Sequence, residues 1–447
     1  MSAASTPTAN DELARRARDL LPILRRQARR PYIVELAGTP KAGKTTALHV
    51  LHRFLKDCGY VVHEMRERAA DCPVAMKGHF FFNTWTTTTM LASMIESLES
   101  EADVLLLDRG VFDAIVWLES QNLDHQLSAE EYEVFRKFVL LNRWRTLTDL
   151  TFVFTVEPET ALRRENKDLL ITRTGSIMGT RFLERYNHVL GKVQASVRDD
   201  FTFVDIDTTK HDSPQAAAYA VAAALLEHMS GSVDPEIAVV PKTVAERVFG
   251  DRGIRALPEA MEEIEQAVVF QRRSALEQSD EFVGLVSAGV LRHAGKMLLL
   301  RRAEKQDEKR LTYGPDLLWK GCHIARPTAD ASDLLNTAAT ALKARLKEDF
   351  HLARLESEPS PRFLVWNRYN ERDARHLGVL FDLEIPAEEV AKSLASKVFK
   401  RERNRTKLGG NEFISPAEIQ ARMEPKGDIE LESWSQAMLD HILAARS

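Results

Sequence analysis

The sequence predicts an α/β fold: a parallel sheet with helices on both faces and a phosphate-binding loop, followed by a smaller α+β domain. Three observations lead to this prediction. Short apolar segments alternate with longer helical segments through residues 31–230, a Gly-rich segment ending in Lys and Thr follows the first of them, and the regular alternation stops near residue 281. Parallel strands need long crossovers, so such alternation indicates a parallel sheet.

Composition narrows the class of protein. The 447 residues are enough for several domains, and 44% hydrophobic with 28% charged residues is typical of a globular protein rather than a disordered or collagen-like one. The net charge of −5 gives no global positive field, so nucleic acid is not expected as a partner. The cysteines at 58, 72 and 322 are too few and too scattered for a disulfide framework or a zinc site.

The sequence also favours a cytoplasmic location. No apolar segment approaches the ~20 residues that a membrane helix needs, and the N-terminus lacks the apolar core of a secretion signal. We therefore expect no membrane partner.

Composition shifts divide the chain into four parts. Residues 1–30 are a tail and a basic helix, 31–230 the alternating domain, 231–280 a connector rich in Gly and Pro, and 281–447 the second domain. The arginines of the first part are compatible with a solvated helix face, a transit peptide or a nucleic-acid arm, and Pro22 is expected to bend that helix.

The apolar runs, and the turn residues that separate them, predict the individual strands and helices. The predicted strands of the first domain are Tyr32–Ala37, Tyr60–Glu64, Val104–Leu107, Thr151–Val156 and Phe201–Ile206, and a helix at Ala216–Met229 closes it. Beyond it we predict one connecting helix at Pro258–Gln278, a hairpin of Gly284–Arg292 with Lys296–Arg301, a helix at Ala338–Phe350 and a strand at His376–Ile385.

The segment Gly-Thr-Pro-Lys-Ala-Gly-Lys-Thr follows the first strand and precedes a helix, which is the context that a phosphate-binding loop requires. Its backbone N–H groups and the positive helix end would bind phosphate oxygens. Lys44 would bridge the β- and γ-phosphates and Thr45 would ligate Mg²⁺, so ATP and Mg²⁺ are the predicted cofactors. The alternative is an ordinary Gly-rich turn. The predicted cofactor-binding residues are Gly38, Thr39, Pro40, Lys41, Ala42, Gly43, Lys44, Thr45 and Thr46.

A second component of the site is predicted at the end of the third strand. Four apolar residues precede Asp108, which places its carboxylate at the carboxyl edge of the sheet, where open α/β sheets bind ligands. Asp108 could serve the metal ion or take a proton from the acceptor, and Arg109 could hold an anionic acceptor. Alternatively, Asp108 only caps the next turn.

Residues 31–230 resemble the thymidylate kinase and deoxynucleoside kinase group of P-loop kinases, on the segments GTPKAGKT, Arg66-Glu67 and LLLDRG. The resemblance implies a catalytic role for Glu67, although Arg68 stands where thymidylate kinases have Pro. It also implies an acceptor pocket. Its candidate lining residues are Phe112, Asp113 and Trp117 on the helix after Asp108, with Phe81 or Trp85 stacking on the base.

The same resemblance implies a lid over the moving phosphoryl group, which needs positive charge and exclusion of water. Arg163 and Arg164 are the preferred contacts to the transition state, and further arginines follow in a Gly-interrupted stretch. A solvated arginine cluster is the alternative.

Residues 282–447 resemble the Nudix hydrolase fold, on the segments GLVSAGVLRHAGKMLLLRR, LLWKGCHI, ALKARLKEDFHL, RHLGVLFDLEIP and NEFISPAEI. That chemistry uses a helix with several Glu on one face to hold Mg²⁺. Here only Glu348 and Asp349 remain as candidate metal ligands, and Arg345 replaces a carboxylate. A cation there should weaken metal binding, so a regulatory or weakly active domain is expected.

The combined prediction is an enzyme that transfers phosphate from ATP-Mg²⁺ to a nucleoside or nucleoside monophosphate. Lys44, Glu67, Asp108, Arg109, Arg163 and Arg164 are its predicted catalytic residues, and a homodimer is compatible with it. Two alternatives stay open: a nucleotide-sensing switch, and a hydrolase of nucleoside diphosphate derivatives.

Overall fold

A computed structural model describes residues 9–28, 30–66, 71–74, 79–98, 100–166, 179–211, 213–301, 316–326, 333–350, 357–387, 411–423 and 427–444. These residues form two compact units, 1–233 and 234–447. Among the described helices, none has the length and apolar character that a membrane crossing requires.

Unit 1 is built on a five-stranded sheet in the order β2-β3-β1-β4-β5, and every neighbouring pair is parallel. This confirms the predicted α/β class. The strands are β1 (Tyr32–Gly38), β2 (Val62–Met65), β3 (Val104–Asp108), β4 (Leu150–Thr155) and β5 (Phe203–Asp207). The helices are α1 (Ala9–Gln27), α2 (Lys44–Asp57), α3 (Phe80–Ser97), α4 (Val111–Leu123), α5 (Ala129–Val139), α6 (Asn142–Arg145), α7 (Pro158–Asn166), α8 (Thr180–Ser196) and α9 (Pro214–Val233).

Alternation of side chains along β1 and β3 creates one apolar core on each face of this sheet. Val34 and Leu36 join the core beneath α1, α2 and α9. Ile33 and Ala37 join the core beneath α3, α4 and α8. Because side chains alternate along the strand, residue 35 faces the same core as Ile33 and Ala37, and this residue is a glutamate.

Helix α1 extends from Ala9 to Gln27 with Pro22 inside it, so the helix does not end or restart at this proline. Its apolar face is buried against unit 1, and Arg25 binds Asp103 through two nitrogens at 2.8 and 3.1 Å. Arg30 pairs with Asp149 at 2.6 Å. Part of the basic N-terminal segment therefore fastens the helix to the sheet.

Unit 2 is a mixed sheet with a central pair formed by β9 and β13, which run parallel. Its strands are β6 (Glu236–Pro241), β7 (Ile254–Ala256), β8 (Val269–Arg272), β9 (Phe282–His293), β10 (Lys296–Leu299), β11 (Lys320–His323), β12 (Ser360–Val365), β13 (His376–Glu384) and β14 (Glu412–Ile414). Its helices are α10 (Lys242–Phe249), α11 (Glu259–Ala267), α12 (Arg273–Leu276), α13 (Leu334–Phe350), α14 (Glu371–Ala374), α15 (Pro416–Arg422) and α16 (Ser433–Ala444).

The predicted hairpin forms as β9 and β10, with Lys296 opposite His293. Helices α10, α11 and α13 cover one face of the sheet, and α15 and α16 cover the other.

The structure corrects the predicted connector at 231–280. Strand β6 pairs with both β8 and β9, so most of this segment belongs to the sheet of unit 2. The predicted helix at Pro258–Gln278 is also wrong: α11 ends at Ala267 and strand β8 follows. The β-branched and aromatic run around Val269 pairs with β6, and this tertiary pairing overrides the local helical pattern.

Candidate functional site

The loop between β1 and α2 lies at the carboxyl edge of the central strand of unit 1. Gly38 and Gly43 have φ angles of 120° and 90°, which favour glycine. A Cβ on Gly38 would stand 2.0 Å from the Phe154 carbonyl oxygen, so no larger residue fits there. At Gly43 the space around such a Cβ is open. The loop therefore packs tightly on β4 at its start and is accessible where α2 begins.

Thr39 anchors the middle of the loop. Its N–H donates to the Phe154 carbonyl at 2.9 Å, and its hydroxyl donates to Asn187 Oδ1 on α8 at 2.6 Å. Asn187 in turn donates to the Val156 carbonyl at 3.2 Å. The predicted neighbours Pro40 and Ala42 are buried, whereas Thr46 is exposed on the first turn of α2.

Lys44 is buried against the loop that precedes it. Its ammonium donates to the carbonyl oxygens of Gly38 and Thr39, both at 2.8 Å. These two carbonyl oxygens place partial negative charge beside the buried ammonium. Phosphate oxygens are stronger acceptors for the same ammonium, so the arrangement suits exchange of carbonyl for phosphate contacts.

Thr45 and Asp108 meet although 63 residues separate them. The Thr45 hydroxyl donates to Asp108 Oδ2 at 3.0 Å. The contact follows from topology: β3 lies beside β1, and Asp108 is in register with Leu36. The two predicted metal ligands thus lie together beside the loop.

Arg109 and Asp113 form an ion pair at the start of α4, with the Arg109 guanidinium 2.9 Å from Asp113 Oδ2. Asp113 is buried and also accepts from the Tyr186 hydroxyl at 3.2 Å. The Arg109 guanidinium lies 5.9 Å from the centre of the Trp117 ring. Burial and the Asp113 charge raise the pKa of Tyr186 well above its usual value, so its hydroxyl stays protonated.

Arg164 lies beside the loop, whereas Arg163 does not. Arg164 donates to the Lys41 carbonyl at 3.1 Å and to the Thr208 hydroxyl at 3.0 Å, and burial lowers the pKa of its guanidinium. The exposed Arg163 donates to Thr160 on its own helix. Lys41 is held by Glu165 of the same helix at 2.7 Å. Helix α7 therefore brings one of the two predicted arginines to the site.

The aromatic residues predicted for the acceptor pocket separate into different environments. Phe81 is 63% exposed, and Trp85 is half-buried. Phe112 is fully buried and packs on Phe203 at 4.8 Å between ring centres, so it belongs to the core and not to the predicted pocket face. Trp117 contacts Tyr186 at 5.3 Å between ring centres and so remains near Arg109.

Some of the predicted site falls outside the described residues. Glu67, the arginine-bearing stretch at 167–178 and the side chain of Glu348 are not among the described parts of the chain.

In unit 2, Asp349 is engaged by two cations. Its carboxylate lies 2.8 Å from Arg345 and 3.1 Å from Lys320, and its side chain is only 7% exposed. Among the described residues, no group of three or more His, Cys, Asp or Glu side chains is arranged to hold a metal ion.

In unit 1, the oxygens of Thr45 and Asp108 fit the donor set of a magnesium ion. Such an ion in proteins often uses one or two carboxylates together with phosphate and water.

The sequence prediction missed Glu35. This residue is completely buried in β1, and its carboxyl oxygens accept the N–H groups of Gly110, Phe112 and Asp113 at 2.9, 3.1 and 2.9 Å. Burial raises its pKa to about 7, and these hydrogen bonds oppose the rise. The sequence feature that could have revealed it is a glutamate within the otherwise apolar run YIVELAG. Asn187 and Thr208 were missed too, and their surroundings in sequence carry no comparable signal.

No family model and no curated protein matches the chain. Among solved structures, it is similar to Tm1382, a candidate Nudix hydrolase, with 17% identity and a TM-score of 0.34, over 47% of this chain and 99% of the other. It is also similar to the deoxyadenosine kinase of M. mycoides, solved with products, with 16% identity and a TM-score of 0.33, over 44% of this chain and 98% of the other.

Proposed function

We propose that unit 1 transfers the γ-phosphoryl group of ATP to a nucleoside or nucleoside monophosphate. The observation that carries this proposal is the 3.0 Å contact between the Thr45 hydroxyl and the Asp108 carboxylate, beside the Gly38–Thr45 loop. A glycine-containing loop that is open at Gly43, a buried lysine and this pair of oxygens are the parts that phosphoryl transfer from a nucleotide needs.

The role of each residue follows from its place. Backbone N–H groups of the loop bind the β- and γ-phosphates, and the Lys44 ammonium leaves the loop carbonyls for phosphate oxygens. Thr45 and Asp108 would hold Mg²⁺, which supplies positive charge against the phosphates. Arg164, which contacts both the Lys41 carbonyl of the loop and the Thr208 hydroxyl, adds positive charge there, in accord with a transition-state role.

The acceptor binds at the start of α4 in this proposal. The Arg109 guanidinium, oriented by Asp113, binds an acceptor phosphate or orients an acceptor hydroxyl. In the transfer, the bond between the γ-phosphorus and the oxygen that bridges the β- and γ-phosphates breaks, ADP leaves, and a bond from the γ-phosphorus to the acceptor oxygen forms. When the acceptor is a hydroxyl, its proton passes to a carboxylate of the site: to Glu67 when Asp108 holds Mg²⁺, or to Asp108 when it does not.

Unit 2 is proposed to regulate rather than to hydrolyse. Its one described candidate ligand, Asp349, lies between Lys320 and Arg345, and two cations there repel a divalent metal ion. A Mg²⁺-dependent pyrophosphatase activity in the intact chain that is lost in Glu348→Gln would contradict this part.

Labelled ATP offered with a panel of nucleosides and nucleoside monophosphates tests the proposal. We expect transfer to at least one acceptor, lost in Lys44→Ala and retained in Lys137→Ala, which changes an exposed lysine on α5. Tight ATP binding without transfer to any acceptor would refute the kinase and favour a nucleotide-sensing switch.

A further inference from the structure

Glu35 is a buried acid that the proposed reaction does not use directly. It lies three residues before Gly38 in the central strand, fully shielded from water. Burying a carboxyl group is unfavourable unless its oxygens are satisfied, and here three backbone N–H groups satisfy them. All three belong to the first turn of α4 and the residue before it.

This arrangement replaces a local helix cap. The residue before α4 is Gly110, which has no side chain to accept the first free N–H groups of the helix. A Cβ at Gly110 would stand 2.6 Å from the Glu35 carboxyl carbon, so the absence of a side chain there makes room for Glu35. The cap therefore comes from a different strand, and the start of α4 is bound to β1.

The bound segment includes the turn that carries Asp108 and Arg109. Arg109 has a φ of 72°, in the left-handed region that non-glycine residues rarely adopt, and its N–H donates to the Leu36 carbonyl at 3.1 Å. Glu35 and Leu36 thus hold the turn from adjacent positions of the strand that leads into the phosphate-binding loop. A local cap would stabilise α4 equally well, but it would leave the turn free to shift relative to that loop.

We propose that Glu35 is a positioning residue that sets the Asp108–Arg109 turn against the phosphate-binding loop. Its catalytic consequence rests on the function proposed above. Its structural consequence does not, because it concerns the distance between Thr45 and Asp108 in the protein alone.

The structural test is a comparison of crystal structures of wild type and Glu35→Gln. The amide nitrogen of glutamine cannot accept an N–H, so at least one of the three hydrogen bonds is lost. We expect the turn to move by more than 1 Å and the Thr45–Asp108 contact to break. The control is Thr151→Val, because Thr151 is buried on β4 directly opposite Glu35 in the sheet. An unmoved turn in Glu35→Gln overturns the proposal.

The catalytic test separates positioning from simple capping. In Glu35→Gln we expect kcat to fall at least tenfold, with KM for ATP within twofold of wild type. The double variant Glu35→Ala with Gly110→Asp supplies a local cap without the link to β1. We expect it to recover thermal stability relative to Glu35→Ala but not kcat. Recovery of both would show that Glu35 is only a cap, and overturn the proposal.

Two further outcomes are also decisive. If Glu35→Gln does not fold, Gly110→Ala displaces the carboxyl group while keeping it, and the same shift of the turn is expected; an unmoved turn would again contradict the proposal. If wild type transfers no phosphate to any acceptor, the kinase proposal fails, while the crystal structures still decide the role of Glu35.

Discussion

The carboxylates of Asp108 and Asp349, both candidate metal ligands by sequence, lie in different parts of the fold and contact different groups. Asp108 ends a parallel strand and meets the Thr45 hydroxyl beside the Gly38–Thr45 loop. Asp349 lies on α13 between Lys320 and Arg345. A cation beside a carboxylate competes with a metal ion for the same oxygens. For Asp349 the neighbouring cations, and not the acidic residue alone, therefore decide whether a metal ion can bind.

Asparagine at each position gives the sharpest contrast. Asp108→Asn removes the charge beside the loop, so we expect phosphoryl transfer to fall about 10²–10⁴-fold. Asp349→Asn is the matched control and should leave transfer unchanged. Initial rates with labelled ATP measure both. Equal losses in the two variants would remove the distinction between the sites.

A pH series tests Glu35, a carboxyl group of unit 1 that is completely buried among backbone donors. The pKa of Glu35 rises to about 7 on folding, from about 4.5. The folded protein therefore holds an extra proton between these values, and the stability from Glu35 is complete below pH 4.5 and declines as pH rises through 7.

Between pH 5 and pH 8 we expect wild type to lose about 3 kcal/mol more unfolding free energy than Glu35→Gln, which cannot titrate. Urea unfolding at the two pH values measures the difference. If the difference in unfolding free energy between wild type and Glu35→Gln is the same at both pH values, the raised pKa of Glu35 is contradicted.

The ion pairs of Asp349 should matter for stability and not for transfer. Arg345→Met removes one of the cations that contact the nearly buried Asp349 carboxylate, at a cost of about 2 kcal/mol. Thermal unfolding of the variant measures this, with Lys347→Met on the exposed face of α13 as the control. Adding Asp349→Leu to Arg345→Met should restore part of the loss. A variant as stable as wild type would show that the pairs contribute nothing.

The smallest expected effect distinguishes the two arginines of α7. Arg164→Ala removes the contacts to Lys41 and Thr208 at the edge that holds Asp108, so transfer should fall about tenfold. Arg163→Ala removes only a contact to Thr160 and should change transfer less than twofold. Steady-state rates of phosphoryl transfer measure both effects. A larger loss in Arg163→Ala than in Arg164→Ala would assign the transition-state contact to Arg163.

Much of unit 1 could be predicted because its signals are local. An apolar run of four or five residues is enough to specify a buried parallel strand, and all five predicted strands of this unit form within a few residues of their expected bounds. The Gly38–Thr45 pattern fixes backbone conformations that only certain residues adopt. The predicted Thr45 and Asp108 meet because β3, which ends at Asp108, lies beside β1, which leads into the loop before Thr45.

The predictions failed where pairing over long distances outweighs local propensity. The run around Val269 has neighbours that favour a helix, yet it becomes a strand because β6 offers a partner. Phe112 resembles a pocket residue on its helix, but the packing of Phe203 against it places it in the core.

The residues of unit 1 specify its sheet, the shape of the Gly38–Thr45 loop and the chemical types at the edge of that sheet, because backbone preference and apolar periodicity act within a few residues. Packing of the elements settles which charges are neutralised and which turns are held in place. The cations beside Asp349 and the N–H donors around Glu35 come from other elements of the fold. Electrostatic and hydrogen-bond energies depend on distances that exist only after the strands and helices have packed.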